Sequence, residues 1–263
     1  MTWLTRSREA QLALAIAVLT GLIALRFPGF VAPGNLMAVF NDSAPLIILA
    51  IGQMIVILTK CIDLSVAANL ALSGMVAAML NGAGVPLPVI LLAVLMLGTL
   101  LGAVNGLLVW KLGIPSIVVT LGTMTIYRGI IFLMTNGKWI NAHEMTEGFK
   151  ALPRLVLLGL PVMSWVALAV IALFALILGR TGRRRGLLGG GGQPQAAGLA
   201  RVYVGGQQAL AFVLSGALAG LTGYLWVSRY AVAYVDIAGG FELDVVAACV
   251  IGGVSIAGGV GTV

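Results

Sequence analysis

Side chains able to do chemistry are scarce in this chain. There is one histidine, His143, and two cysteines, Cys61 and Cys249, beside eight carboxylates in 263 residues. His143 stands beside Glu144 in a polar stretch with no second imidazole or thiolate at ligand spacing, so no metal site is expected. Cys61 and Cys249 sit at or in apolar segments far apart, without a CxxC or Cys/His pattern, and read as small packed hydrophobes. The nucleophile-elbow, zinc-protease and phosphate-loop patterns are all missing from the sequence. Gly189 to Gly192 is four consecutive glycines, but the Lys and Ser/Thr of a phosphate cradle do not follow, and a turn is the better reading. No cofactor is implied, and enzymatic chemistry is not expected.

What remains is a set of polar side chains stranded among apolar ones. Asp63, in TKCIDLSVAANLALSGM, reads as the N-cap of a helix, its carboxylate accepting N–H groups near Ser65 and Val66. It also reads as the edge of a solute path where a helix is broken. Asn105, in GAVNGLLVW, reads as a hydrogen bond between helices, and Arg128, in TMTIYRGIIF, as an internal ion pair or a snorkelling cation. Glu242 and Asp244, in GGFELDVVAACVIGG, precede an apolar run where capping is expected. Asp63, Ser65, Asn69, Asn105, Arg128 and Asp244 are therefore candidates for a translocation path or for helix breaks.

Such residues need elements to hold them, and composition says which. Hydrophobic residues make up 60% of the chain and charged residues 9%, where a soluble domain carries about a quarter charged. Mean hydropathy is +1.11. The apolar runs approach bilayer length, about 20 residues each. The expected fold is therefore an all-α polytopic membrane protein with about eight transmembrane or re-entrant segments, forming one domain over 1–263. The net charge of +7 is scattered over span ends and one loop without interleaved aromatics, which excludes a nucleic-acid surface.

The runs fall at Leu12–Leu25, Pro45–Thr59, Leu64–Leu80, Val89–Trp110, Pro115–Thr135, Leu155–Leu178, Ala209–Val227 and a broken Val245–Val263. Asn35–Ser43 is expected to form a short interfacial helix before the second. Gly98, Gly102 and Gly106 put a smooth stripe on one helical face, open to close approach by a neighbouring backbone. Trp110, Trp139 and Trp226 lie near span ends, as in an aromatic belt.

The stretch 179–208 interrupts the apolar pattern with Arg180, Arg183, Arg184, Arg185 and Arg201, and cationic loops stay cytoplasmic. Alternating outward from it places nine cations inside, those five with Arg6, Arg8, Lys60 and Lys111, against five outside, Arg26, Lys138, Lys150, Arg154 and Arg229. The N-terminus is expected in the cytoplasm.

Four stretches resemble a known family. CIDLSV (61–66) is similar to a GIDLSVG signature. NGLLVWKLGIPSIVVTLGTMTIYRG (105–129), SGALAGLTG (215–223) and ELDVVAACVIGGVSIAGGVGT (242–262) follow in the family's order. They resemble the membrane permeases of bacterial sugar importers powered by an ATP-binding cassette, of the ribose, xylose and rhamnose group. The likeness departs from the pattern at Lys60 and Cys61, where the family has Gly-Gly. It departs again in the basic loop, where Gln193 replaces Asn and Leu187–Leu188 replace Tyr-Ala.

The resemblance implies a bacterial inner-membrane permease for a rhamnose- or ribose-like monosaccharide. Its implied partners are a second permease subunit, identical or related, two cytoplasmic ATP-binding subunits and a periplasmic sugar-binding protein. Gly191, Gly192, Gln193, Pro194, Ala196 and Ala197 match the family's ATPase-docking segment. It also implies two helices more than the sequence holds, and hence a truncated remnant as one alternative. The other is an ion-coupled carrier with Asp63 and Asp244 as cation ligands.

Overall fold

The fold comes from a computed structural model that describes residues 8–180, 204–259 and 261. Its helices are α1 (Arg8–Arg26), α2 (Pro33–Leu58), α3 (Val66–Gly82), α4 (Leu87–Leu112), α5 (Ser116–Thr135), α6 (Glu147–Ala151), α7 (Val162–Arg180), α8 (Val204–Tyr230) and α9 (Phe241–Ile251). Helices α2, α4, α5, α7 and α8 are long and apolar enough to cross a bilayer, and α1 and α3 are shorter apolar helices. The chain is an all-α polytopic membrane protein.

Three expectations about boundaries need correction. Asn35–Ser43 is no separate helix: α2 runs unbroken for 26 residues with Pro45 buried inside it. Its polar residues read as interfacial from sequence, but tertiary partners hold them. The Ser164 hydroxyl of α7 donates to Asn41 Oδ1 at 3.2 Å, and Arg229 pairs with Asp42 at 3.0 Å. Neighbouring helices are what make an interior proline tolerable in lipid.

The apolar start of the sixth run is not helical either. Val156–Leu157 pairs antiparallel with Leu160–Pro161, across Leu158 and Gly159 at φ +50° and +83°. Two left-handed central residues make a tight hairpin turn, and α7 begins only at Val162. Finally, the last run starts at Phe241 and lasts 11 residues. Ala238 and Gly240 at φ +54° and +85° turn the chain early enough for the helix to start ahead of Glu242.

Helix α8 is the centre of the bundle, lying along α4, α3 and α2. The glycine stripe of α4 meets it. A Cβ on Gly98 would run into the Gly216 carbonyl, one on Gly102 into the Phe212 carbonyl, and one on Gly106 would stand 2.9 Å from Ala209 Cα. A Cβ on Gly74 of α3 would likewise stand 2.8 Å from the Gly223 carbonyl oxygen of α8. Without a hydrophobic drive between helices in lipid, this close backbone packing supplies the association energy.

One end of the bundle is capped by the 136–161 stretch. Asn81 and Thr146 exchange two hydrogen bonds of 2.9 Å. Buried Phe149 meets Tyr224 edge-on at 5.1 Å, and its carbonyl accepts from both the Tyr224 and Ser228 hydroxyls.

Candidate functional site

Between α2 and α3 the chain leaves helical geometry inside the protein. The N–H groups of Thr59 and Lys60 turn back to the carbonyls of Val56 and Ile57 at 3.0 and 2.9 Å. Lys60 completes the turn in the left-handed region, at φ +62°.

The following backbone has no helix to satisfy it, and in a membrane protein such a segment persists only when buried partners take over. Three helices provide them. Ser116 Oγ of α5 accepts from the Ile62 N–H at 3.1 Å, and Thr120 Oγ1 donates to the Ile62 carbonyl at 3.4 Å. Gln53 of α2, its amide oriented by hydrogen bonding, donates to the Asp63 carbonyl at 3.1 Å and accepts from the Asp63 N–H at 3.2 Å. Ser65 opens α3, its carbonyl accepting from Asn69 N–H at 2.8 Å.

The side chains add a second network. Asp63 Oδ1 accepts from the Ser65 N–H at 2.9 Å and from its hydroxyl at 2.6 Å. The Ser65 oxygen in turn accepts from Asn105 Nδ2 of α4 at 2.7 Å. The Tyr127 hydroxyl of α5 donates to the Leu101 carbonyl at 2.9 Å, with Asn105 Oδ1 3.5 Å away. Nearby, Asn69 donates to the Gly98 carbonyl at 3.1 Å and accepts from Ser73 at 3.2 Å. Asp63, Ser65, Asn69 and Asn105 are only 1 to 3% exposed, so within this chain they bridge helices and face no open channel. Asp63 sits two residues ahead of the N-cap position that Ser65 takes, a correction to its expected place as the cap itself. Its carboxyl still lies near the N-terminal, positive end of α3.

Arg128 belongs to a different site. Its Nη1 donates to the Val235 and Ile237 carbonyls at 2.8 and 3.3 Å and pairs with Asp236 at 3.1 Å. The same 231–240 segment is held by reciprocal 2.9 Å bonds between Ile140 and Ala233. Trp139 stacks on Tyr234 at 4.6 Å. Asp244 lies exposed on α9, where Gly240 takes the N-cap position and no side chain caps the helix. The expected capping by Glu242 and Asp244 is thereby corrected. The docking-segment residues Gly191, Gly192, Gln193, Pro194, Ala196 and Ala197 lie outside the described residues.

Gln53, Ser116, Thr120 and Tyr127 are the members of the Asp63 site that sequence reading missed. A lone glutamine in the IGQMIVIL run was the one available signal. Together these groups can pin a helix break in place and present a carboxylate to neutral donors. They hold no nucleophile or general base in reach of a cavity. Among the described residues no three His, Cys, Asp or Glu side chains cluster as metal ligands.

Residues 35–262 match the family model described as the permease component of branched-chain amino acid transport systems. Several curated proteins match the entire chain. The autoinducer 2 import system permease protein LsrC of Salmonella paratyphi B is 37% identical over 268 residues, covering 100% of this chain and 75% of its own. The LsrC proteins of Enterobacter sp. (strain 638) and Escherichia coli (strain K12 / DH10B) are 37% and 35% identical, each with 100% of this chain and 76% of its own covered. No solved structure matches the chain. Its relatives being importer permeases, it is a multi-pass inner-membrane protein and no enzyme. The glycine-packed helices and the buried break at Asp63 are thus those of a transport subunit, and the chain belongs to the family of ATP-binding-cassette importer permeases.

Proposed function

We propose that this chain forms half of a translocation path for a small sugar-like solute, driven by a separate ATPase. The observation that carries the reading is the 35 to 37% identity, along the whole chain, to permeases named for autoinducer 2 import. Autoinducer 2 is accordingly the first solute to test, with ribose and rhamnose as the monosaccharides the sequence motifs suggest. The second half of the path is a copy of this chain or a related permease. A periplasmic binding protein delivers the solute, and cytoplasmic ATP-binding subunits dock at the 179–208 loop.

The fold supports a division of labour. Helices α4 and α8 meet backbone to backbone and form an unyielding wall. The two interrupted elements, the Asp63 turn and the α9 segment, are where polar backbone would come nearest a path, as broken helices supply it in transporters. Beyond α9 the chain rejoins the Asp63 end: the Gly259 N–H donates to the Leu58 carbonyl at 3.1 Å. An ion-coupled carrier would need Asp63 and Asp244 to share a cation, but the first is buried at 2% exposure and the second exposed.

Reconstitution in liposomes with the cognate ATPase tests the proposal. ATP-dependent uptake of autoinducer 2, untouched by an uncoupler, is expected. Uptake without the ATPase that an uncoupler abolishes would sink it.

A further inference from the structure

At the capped end of the bundle, a cavity of about 270 Å³ opens between α2, the hairpin and α8, lined by Gly34, Met37, Ala38, Asn41, Arg154, Pro161 and Arg229. Its polar groups are donors held by a scaffold. Arg154 spends Nε and Nη2 on the Arg229 carbonyl at 3.2 and 2.6 Å, which fixes the guanidinium plane and leaves Nη1. Arg229 gives Nη2 to Asp42 at 3.0 Å, while its Nε is buried with no partner among the described residues. Asn41 turns Oδ1 to Ser164, which leaves its amide donor over. Arg229 pairs with Asp42 and Lys150 with Glu147, which Arg154 also feels, so three cations against two carboxylates leave one surplus positive charge beside donors in need of an acceptor.

The surroundings select the acceptor's source. Pro161 ends the hairpin, and the apolar residues leading into its tip are bare: Leu155, Val156 and Leu157 are 50 to 56% exposed and Leu158 is 93% exposed. A loop tip of leucines next to arginines is what a protein presents at the boundary between acyl chains and headgroups. Trp165, which donates to the Leu157 carbonyl at 2.9 Å, sits beside it, as amphipathic rings do at that level.

The geometry points to an anionic phospholipid bound here, its phosphodiester between Arg154 and Arg229 and its acyl chains along the Leu155–Leu158 hairpin. Guanidinium forks match phosphate oxygens, and apolar burial with basic residues beside it adds electrostatic attraction to anionic lipids. A free phosphate would use the same donors but would leave the leucines uncovered. A zwitterionic headgroup would bring its own cation against the surplus charge.

The test uses the full chain purified in detergent, followed by native mass spectrometry and thermal melting. Phosphatidylglycerol should bind at one saturable site and raise the melting temperature, phosphatidylcholine should bind more weakly, and inorganic phosphate should do neither. Arg154→Gln should weaken phosphatidylglycerol binding about tenfold, the loss of one charge-assisted contact. Because it also loses the two bonds to the Arg229 carbonyl, the lipid-free melting temperature should fall as well, and the affinity is read by native mass spectrometry on the folded protein. The hairpin variant Leu157→Ser/Leu158→Ser should weaken it too, with inorganic phosphate still inert. Unchanged phosphatidylglycerol affinity in Arg154→Gln overturns the site. A full stabilisation by inorganic phosphate alone overturns the lipid source. Displacement of the lipid by a soluble glutamate-rich peptide of equal potency assigns the pocket to an acidic protein instead.

Discussion

Asn105 reaches from α4 into the turn before α3 and donates to Ser65 Oγ at 2.7 Å, and that same hydroxyl donates to Asp63 at 2.6 Å. One serine oxygen thus joins a buried carboxylate to a buried amide. Ser65→Ala strands the Asn105 amide and leaves Asp63 only the backbone N–H of its two donors, and a buried group left without its partner costs about 1–3 kcal/mol. Asn105→Leu strands only the serine lone pair and should cost less. A double-mutant cycle on the two positions should give a coupling of about 0.5–3 kcal/mol, the range for residues sharing one network. Melting the four proteins in the same detergent checks it, and purely additive losses would mean the bond carries no energy.

Asp63→Asn separates shape from charge at the same place. The amide oxygen can keep both bonds from Ser65, so the melting temperature should stay near that of the parent. If the charge serves transport, uptake in the reconstituted system should fall while ATPase docking persists. Normal uptake by Asp63→Asn would reduce the residue to a structural pin.

These sites were partly legible in the sequence. Polar residues in apolar runs are expensive enough that each must have a reason, which singled out Asp63, with Ser65 and Asn69 taken in beside it, Asn105 and Arg128. It could not say that the first four would be gathered, or that Arg128 would serve the 231–240 segment 107 residues away. Such pairings are set by how helices lie against one another, which no local pattern encodes. The glycine stripe was legible as a surface, and α8 as its partner was not. The unbroken α2 shows the opposite failure. Asn41, Asp42 and Pro45 look like a boundary until Ser164 and Arg229, far along the chain, absorb them. Likewise Leu155–Leu160 is apolar enough for a helix, and the left-handed pair Leu158–Gly159 decides for a hairpin.

The stripe makes a sharp comparison between two glycines. Gly98 has no room for a Cβ, which would meet the Gly216 carbonyl, whereas at Gly122 of α5 nothing lies within 4 Å. Gly98→Ala must push α4 off α8 and should cost about 1–3 kcal/mol, as overpacking does. Gly122→Ala should be neutral or stabilise slightly, since alanine is the better helix former by about 1 kcal/mol. Equal melting temperatures for the two variants would show that the backbone contact between α4 and α8 is not tight.

Arg128 should behave as a clamp. Its Nη1 alone holds two carbonyls and the exposed Asp236, contacts that a shorter-reaching lysine ammonium can replace only in part. Arg128→Ala and Arg128→Lys should both speed amide hydrogen exchange across residues 234–239, alanine more so, with α4 and α8 unaffected. Asp236→Asn should do little, because the two carbonyl bonds remain. Protection unchanged in Arg128→Ala would leave the segment to the Ile140–Ala233 bridge and the Trp139–Tyr234 stack.

The turn after α2 stores strain that one substitution should release. Lys60 is exposed and adopts φ +62°, a left-handed conformation that costs a residue with a Cβ about 1–2 kcal/mol. Glycine adopts it freely but brings a more flexible unfolded chain, worth about 0.4–1 kcal/mol in the other direction. The first effect is the larger, so Lys60→Gly should stabilise by about 0.5–1 kcal/mol. Lys60→Ala, which keeps the Cβ and removes the ammonium, separates backbone strain from side-chain contacts. It should melt no higher than the parent. If Lys60→Gly melts lower than Lys60→Ala, the left-handed turn is held at no cost and the strain argument fails.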